Sequence, residues 1–309
     1  MKKAFLFPGQ ASQYVGMAKD LYDAFPAVKD LYNRANDVMQ LDLARISFEG
    51  PEDELKQTRI TQPAIYVHSV AVSELLKTKD FMPDAVAGHS LGEYSALVAA
   101  GALSFEEGLR LVKIRGELMQ RAGEIQPGTM AAIIGLDFDQ TREICDAVAD
   151  TGIVCPANYN SPGQVAISGE VDAVHAAMEK AKEAGAKRAI ELVVSGAFHS
   201  PLMEYAQEGL QKALAEAKIK ECLIPVYTNV MATPTTSADE VKDLLYKQLT
   251  HPVRWTEIVE HMITDDIDVF YEIGPGKVLA GLNKRINRDL PCNPIGDVSG
   301  LYEIFETEN

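Results

Sequence analysis

The stretch Asp84-Ala85-Val86-Ala87-Gly88-His89-Ser90-Leu91-Gly92-Glu93-Tyr94-Ser95-Ala96-Leu97-Val98-Ala99-Ala100 decides how this chain is read. A short apolar run leads into a serine with a glycine two positions away on either side, and a small-residue helix pattern follows. This is G-x-S-x-G in strand–turn–helix context, the nucleophile elbow, in which a sharp turn lifts a serine hydroxyl clear of a sheet. Side chains at Gly88 or Gly92 would collide with the neighbouring strand or helix, and Ser90 is expected in a strained backbone region. The helix opening at Leu91 points its first N–H groups and positive dipole end at whatever binds above Ser90, so a developing oxyanion would be stabilised there. The other reading is an ordinary glycine-rich turn around a buried serine.

Working outward, residues 3–7 read as a buried strand ending in the loop Pro8-Gly9-Gln10-Ala11-Ser12-Gln13. Helical patterns follow over 21–39, then an acidic loop over 49–54 and a long apolar helix over 63–76. Ser104-Phe105-Glu106-Glu107 fits a capping box and predicts a helix running to about residue 121. From Pro127 the texture changes: strand 129–136, helix 139–150, strands 153–159 and 164–168 joined by the turn Asn160-Ser161-Pro162-Gly163, helix 171–184, strand 189–194. That βαββαβ order is the ferredoxin-like pattern. Helix 201–217, strand 225–229, helices 238–249 and 254–263, strand 269–273 and helix 277–287 then restore the alternation of a mostly parallel sheet. The expected class is α/β, with residues 1–126 and 199–309 as the larger unit and 127–198 as an inserted ferredoxin-like subdomain.

The formal charge of −16 argues against nucleic acid or an anionic membrane as partner. Cys145, Cys155, Cys222 and Cys292 lie far apart without zinc-ligand spacing, so free thiols and no metal are expected. No window has the apolar length of a membrane span, and the run 4–7 stops at Pro8, too short for a signal segment. A cytoplasmic protein is expected.

Ser90 needs a base. Of the six histidines, His89 should leave the elbow on another face, and His175 sits on a polar helix. His68 and His261 fall inside helices without polar company, and His251 opens a helix entry. His199, in Ser195-Gly196-Ala197-Phe198-His199-Ser200, lies after a strand and before a helix, where α/β sheets bind ligands. It is the candidate base, against a reading as a structural cap. No acidic residue follows in an orienting position, which leaves a dyad steered by a main-chain carbonyl. Arg115 interrupts the stripe Leu111, Val112, Leu118, Met119 and must find an anion, snorkel, or pair internally. Gly274-Pro275-Gly276-Lys277 lacks Walker spacing and reads as a strand-to-helix turn.

Together these residues resemble the bacterial malonyl-CoA:acyl-carrier-protein transacylase family of fatty-acid synthesis over nearly the whole chain. The resemblance rests on Phe7-Pro8-Gly9-Gln10-Ala11-Ser12-Gln13, Gly88-His89-Ser90-Leu91-Gly92-Glu93 and Gln120-Arg121 following Arg115. It continues through Asn158-Tyr159-Asn160-Ser161-Pro162-Gly163-Gln164, Gly196-Ala197-Phe198-His199-Ser200, Gln248-Leu249 with Pro252-Val253-Arg254-Trp255, and Glu272-Ile273-Gly274-Pro275-Gly276-Lys277. It implies a hydrolase-like core, Ser90 as acylated nucleophile and His199 as base and then acid, oriented by the main-chain carbonyl of Gln248. It further implies oxyanion donors at the N–H groups of Gln10 and Leu91, a substrate carboxylate held by Arg115, and Asn160 lining the thioester channel. The implied substrate is malonyl-CoA and the partner is acyl carrier protein, which brings its own phosphopantetheine. No resident cofactor and a monomeric state are expected.

Rival readings are a serine thioesterase or esterase on the same elbow, a transacylase of polyketide assembly, and a silent carrier-binding protein. Because the carrier is itself acidic, docking is expected on a local basic patch formed by Lys277, Lys284, Arg285 and Arg288 with Lys187 and Arg188. A solvated helix face is the other account of those charges.

Overall fold

The strand β1 (Lys2–Phe7) turns Ala4 and Leu6 to one side and Phe5 and Phe7 to the other, and all four are buried. Burial on both faces marks a parallel strand sandwiched between helices. Strand β2 (Ala85–Gly88) repeats this, with Val86 in the Phe5 cluster and Ala85 and Ala87 in the other. The computed structural model describes residues 1–307. The chain continues through β3 (Thr129–Ile134), β4 (Val154–Ser161), β5 (Gln164–Gly169) and β6 (Arg188–Glu191), then β7 (Val226–Tyr227), β8 (Pro234–Thr235), β9 (Ile267–Ile273) and β10 (Cys292–Ile295).

These strands form two sheets. The larger has the order β10-β9-β1-β2-β7-β8 and is parallel except for β8 at its edge. The smaller has the order β4-β5-β3-β6 and is antiparallel throughout. Helices Phe138–Asp146 and Val171–Glu183 cover one face of the smaller sheet around Ile133, Ile144, Ile167 and Val174. Its other face sends Met130 and Ala166 into the main core.

Because β1, β2, β7 and β9 run parallel, the segments 8–13, 89–91, 228–229 and 274–277 emerge at one end of the sheet. Ligands bind there in open α/β sheets. At the elbow a Cβ on Gly88 would lie 1.9 Å from the Gly92 carbonyl carbon, and one on Gly92 would lie 2.0 Å from the Phe7 carbonyl oxygen. Ser90 sits in the left-handed region at φ 53°. Helix Gly92–Ala99 leaves directly from this turn.

Several boundaries differ from expectation. The apolar helix begins at Thr58, so Pro63 lies inside it and offers no N–H to the carbonyl of Arg59. Ser104 caps Glu107 N at 3.2 Å, but the Glu107 carboxylate pairs with Arg110 instead of completing the box. A full box occurs at Asp137 and Gln140. Strand β6 ends at Glu191 rather than 194, and 192–195 turn away to line a cavity. Strands β8 and β10 and helices Leu43–Glu49, Glu52–Leu55 and Val298–Thr307 were not anticipated. The Glu272 carboxylate accepts from Leu279 N at 3.0 Å and Ala280 N at 2.8 Å, so the helix after Lys277 is capped from within. Among the described residues no helix is long and apolar enough to cross a membrane.

Replacing Gly92 by alanine should force β1 and the elbow helix apart and cost roughly 3 kcal/mol of stability. Urea unfolding measures it; a midpoint equal to the parent's would show that the elements are not this close.

Candidate active site

Ser90 is held by its own backbone before its side chain does anything. Its N–H donates to Asn229 Oδ1 at 2.7 Å, and Asn229 Nδ2 donates to the Gly88 carbonyl at 2.6 Å. Asn229 thus pins both sides of the turn that puts Ser90 at positive φ. The Ser90 hydroxyl lies 2.8 Å from His199 Nε2. Nδ1 of the same ring lies 2.8 Å from the Gln248 main-chain oxygen. A carbonyl only accepts, so Nδ1 carries the proton and Nε2 turns its lone pair to Ser90. Burial, reinforced by the positive charge of Arg115, pushes His199 down to about 3. The ring is therefore a neutral base at neutral pH.

Arg115 is fully buried, with Leu111, Val112 and Met119 around it on helix Phe105–Ile125. It neither snorkels nor, among the described residues, forms an ion pair. Nη1 donates to Gln62 Oε1 at 2.7 Å, and Nη2 donates to Gln248 Oε1 at 2.9 Å and to Ser90 Oγ at 3.0 Å. The Tyr94 ring centroid is 5.6 Å away, and Nε has no partner. A guanidinium whose direct hydrogen-bond acceptors are all neutral, beside a nucleophile, is ready to receive an anion.

The main-chain N–H groups of Gln10 and Leu91 donate to nothing among the described residues. Gln10 lines a cavity of about 650 Å³ that also reaches Ser90, His199, Met130 and Asn160. This cavity lies between the elbow and the open face of the smaller sheet. Its rim is tied across by a 2.7 Å bond between the Thr58 and Ser195 hydroxyls.

The other histidines are explained by their neighbours. His89 lines the cavity but reaches Asn160 rather than the Ser90 hydroxyl, with Nε2 2.9 Å from Asn160 Oδ1. His68 and His261 are not without polar company either, since they reach the Gly296 and Ala232 carbonyls at 2.7 and 2.8 Å. His175 pairs with Glu191 at the surface. All four cysteines are free, and burial pushes the Cys145, Cys155 and Cys222 thiols up to about 12, 11 and 11. Among the described residues no group of three His, Cys, Asp or Glu could hold a metal ion.

Three site residues were not picked out from the sequence: Gln62, Asn229 and Glu93. Gln62 stands just before Pro63 in an apolar helix, and Asn229 lies two residues beyond β7 at the ligand end of the sheet. Glu93 is a lone acid in a helix of small and apolar residues. It is buried, and burial pushes its carboxyl up to about 7 against hydrogen bonds from Asn229 and Gln248 and the charge of Arg115.

Residues 4–291 match the family model described as an acyl transferase domain. The chain is 47% identical over 307 residues to a malonyl CoA-acyl carrier protein transacylase of Bacillus subtilis (strain 168), covering 99% of this chain and 97% of that one. It is 42% identical over 304 residues to the protein of the same name from Escherichia coli (strain K12), covering 98% of each. Among solved structures, an acyl carrier protein S-malonyltransferase from Vibrio cholerae superposes with TM-score 0.95 at 44% identity, over 98% of this chain and 100% of that one. A malonyl-transacylase in complex with its type II PKS acyl-carrier protein gives 0.96 at 43%, over 99% and 100%.

The neutral ring generates a pH prediction. With His199 depressed, its lone pair persists as pH falls, so sulfonylation of Ser90 by a sulfonyl fluoride should stay flat from pH 8 to about 5. A rate falling roughly fivefold between pH 6.5 and 5.5 would mean an ordinary imidazole.

Proposed function

The chain belongs to the acyl transferase domain family, and from that premise we infer that it transfers the malonyl group of malonyl-CoA to the phosphopantetheine thiol of acyl carrier protein, supplying fatty-acid chain elongation. The observation that carries the acyl choice is Arg115, a buried cation beside Ser90 whose hydrogen-bond acceptors are the neutral Gln62, Gln248 and Ser90. A thioesterase or esterase has no need of such a group. A malonyl unit brings the missing carboxylate.

The reaction runs in two halves with one covalent intermediate. Ser90 Oγ attacks the thioester carbonyl as its proton passes to His199 Nε2. The Gln248 carbonyl steadies the imidazolium through Nδ1–H. The resulting oxyanion is taken by the Gln10 and Leu91 N–H groups, worth roughly 3 kcal/mol each in such sites. Collapse expels the CoA thiolate, which recovers the proton from His199 and leaves a malonyl-serine ester. The carrier thiol then gives its proton to His199 and attacks the ester; collapse breaks the bond from the acyl carbon to Ser90 Oγ, His199 returns the proton to that oxygen, and the carrier departs acylated. Support for these roles comes from the Ser90–His199 and His199–Gln248 contacts, the two unengaged N–H groups, and the cavity that joins them.

The same reading takes residues 127–198 as a ferredoxin-like insert on a hydrolase-like core, and Asn160 as part of the thioester channel. It places the protein in the cytoplasm as a monomer needing no resident cofactor. Docking of the acidic carrier is assigned to the exposed Lys277, Lys284, Arg285 and Arg288 with Lys187 and Arg188. Arg285 donates to Gln164 on the cavity rim, and Gln164 pairs through Ile134 with Arg188 across the smaller sheet. Val278 and Leu282, on the helix of Lys284, also line the cavity.

Brief exposure to malonyl-CoA should add one malonyl group to Ser90 by intact mass; an unmodified protein would overturn the reading. Arg115→Ala should cut malonyl loading about a hundredfold or more and spare acetyl loading. Equal loss for both counts against the clamp. Charge reversal at Lys284 and Arg285 should weaken transfer to the carrier several-fold and leave CoA loading intact; equal damage to both halves would put docking elsewhere.

A further inference from the structure

Gln248 stands where two parts of the site meet. Its main-chain oxygen accepts from His199, and its side-chain Oε1 accepts from Arg115. Its Nε2 donates to the Ser90 carbonyl at 3.0 Å and to Glu93 Oε2 at 2.9 Å. Turned over, that amide would set its oxygen against a carboxylate and a carbonyl and its NH2 against a guanidinium. Glu93 and Arg115 therefore fix its orientation from opposite ends. The same Glu93 oxygen accepts from Asn229 N at 3.0 Å, and Asn229 in turn holds the Ser90 N–H.

We propose that Glu93 is a positioning residue that sets the preference for malonyl over uncharged acyl groups. Its carboxylate, joined to Arg115 through the Gln248 amide, is the internal counter-charge of the empty clamp and opposes the acyl carboxylate when that arrives. The inference rests on the reading of Arg115 as a malonyl clamp.

The physics is that of two carboxylates around one buried cation. The charged and titratable groups facing Glu93 are Arg115, from helix Phe105–Ile125, and Tyr94, beside it on its own helix. The elements otherwise packed against it present the neutral groups of Asn229, Gln248 and Ser90. A second anion at Arg115 makes ionised Glu93 less favourable, because like charges in a dry site cannot both be satisfied by one guanidinium. Its carboxyl titrates near neutrality, so the opposition is weak when Glu93 is protonated and full when it is ionised. Selectivity for malonyl should therefore fall as pH rises. An acetyl group lacks the second charge and should not sense it.

The test is the ratio of kcat/KM for malonyl-CoA over acetyl-CoA in the first half-reaction. The CoA phosphates and His199 are common to both substrates and cancel in that ratio. For the parent enzyme it should drop about tenfold between pH 6 and pH 8.5. In Glu93→Gln, which keeps an acceptor for Asn229 and Gln248, it should be flat and, at pH 8.5, about tenfold above the parent. Glu93→Ala should instead lower kcat for both acyl groups, with Glu93→Gln restoring it, because only the alanine leaves both donors unmatched. A flat ratio in the parent enzyme overturns the proposal without any variant, and so does a Glu93→Gln profile that tracks the parent. If the parent forms no malonyl adduct at all, the functional reading falls first; an adduct with a flat ratio sinks Glu93 alone.

Discussion

One chain of hydrogen bonds with a single sense of direction organises this site. Arg115 donates to the Ser90 hydroxyl, Ser90 donates to His199, and His199 donates to the carbonyl of Gln248. The two ends set the polarity: a guanidinium has no lone pair to offer and a carbonyl has no hydrogen. Each group between them is left one role. The serine proton therefore points at the base before any substrate is bound, and the imidazole tautomer is settled without a carboxylate. The absence of a third acidic member, which looked like a gap in the sequence, is met by a main-chain oxygen.

That chain could not close on a relaxed backbone. Ser90 and His199 both occupy the left-handed region, at φ 53° and 59°. For residues with a Cβ this conformation costs energy and persists only where the surroundings over-determine it. Around Ser90 those surroundings are the Gly88–Gly92 approach and the two bonds from Asn229. Around His199 they are its two ring contacts and a buried bond in which the Ser200 hydroxyl donates to the Ala197 carbonyl. Strain and polar pairing thus meet at the same two residues.

What the sequence disclosed follows from how local each constraint is. The elbow was legible because its glycines answer to a turn spanning five residues. Arg115 was legible because a charge inside an apolar stripe is anomalous whatever surrounds it. The identity of its neighbours was not, since Gln62, Ser90 and Gln248 come from three distant segments. Nor can a carbonyl acceptor be read from any side chain; Gln248 entered only through the family resemblance. Short elements escaped for another reason: the two residues of β8 carry no period to detect. The end of β6 was misplaced because 189–194 is rich in strand-forming residues, yet pairing with β3 runs out at Ala131 and leaves 193–195 free to cross toward Thr58.

Strand β1 lies inside the larger sheet, between β2 and β9, although it precedes both in the chain. Its second neighbour, Ile267–Ile273, is the next-to-last strand among the described residues. A ribosome making this protein therefore releases an apolar strand whose far edge stays open until residues 267–273 have been made, and long-range parallel pairing of this kind is slow. The elbow hangs from β2, on the closed side of that strand. Synthesis can lay down the nucleophile well before β9, but the sheet that carries it stays unfinished until that strand emerges.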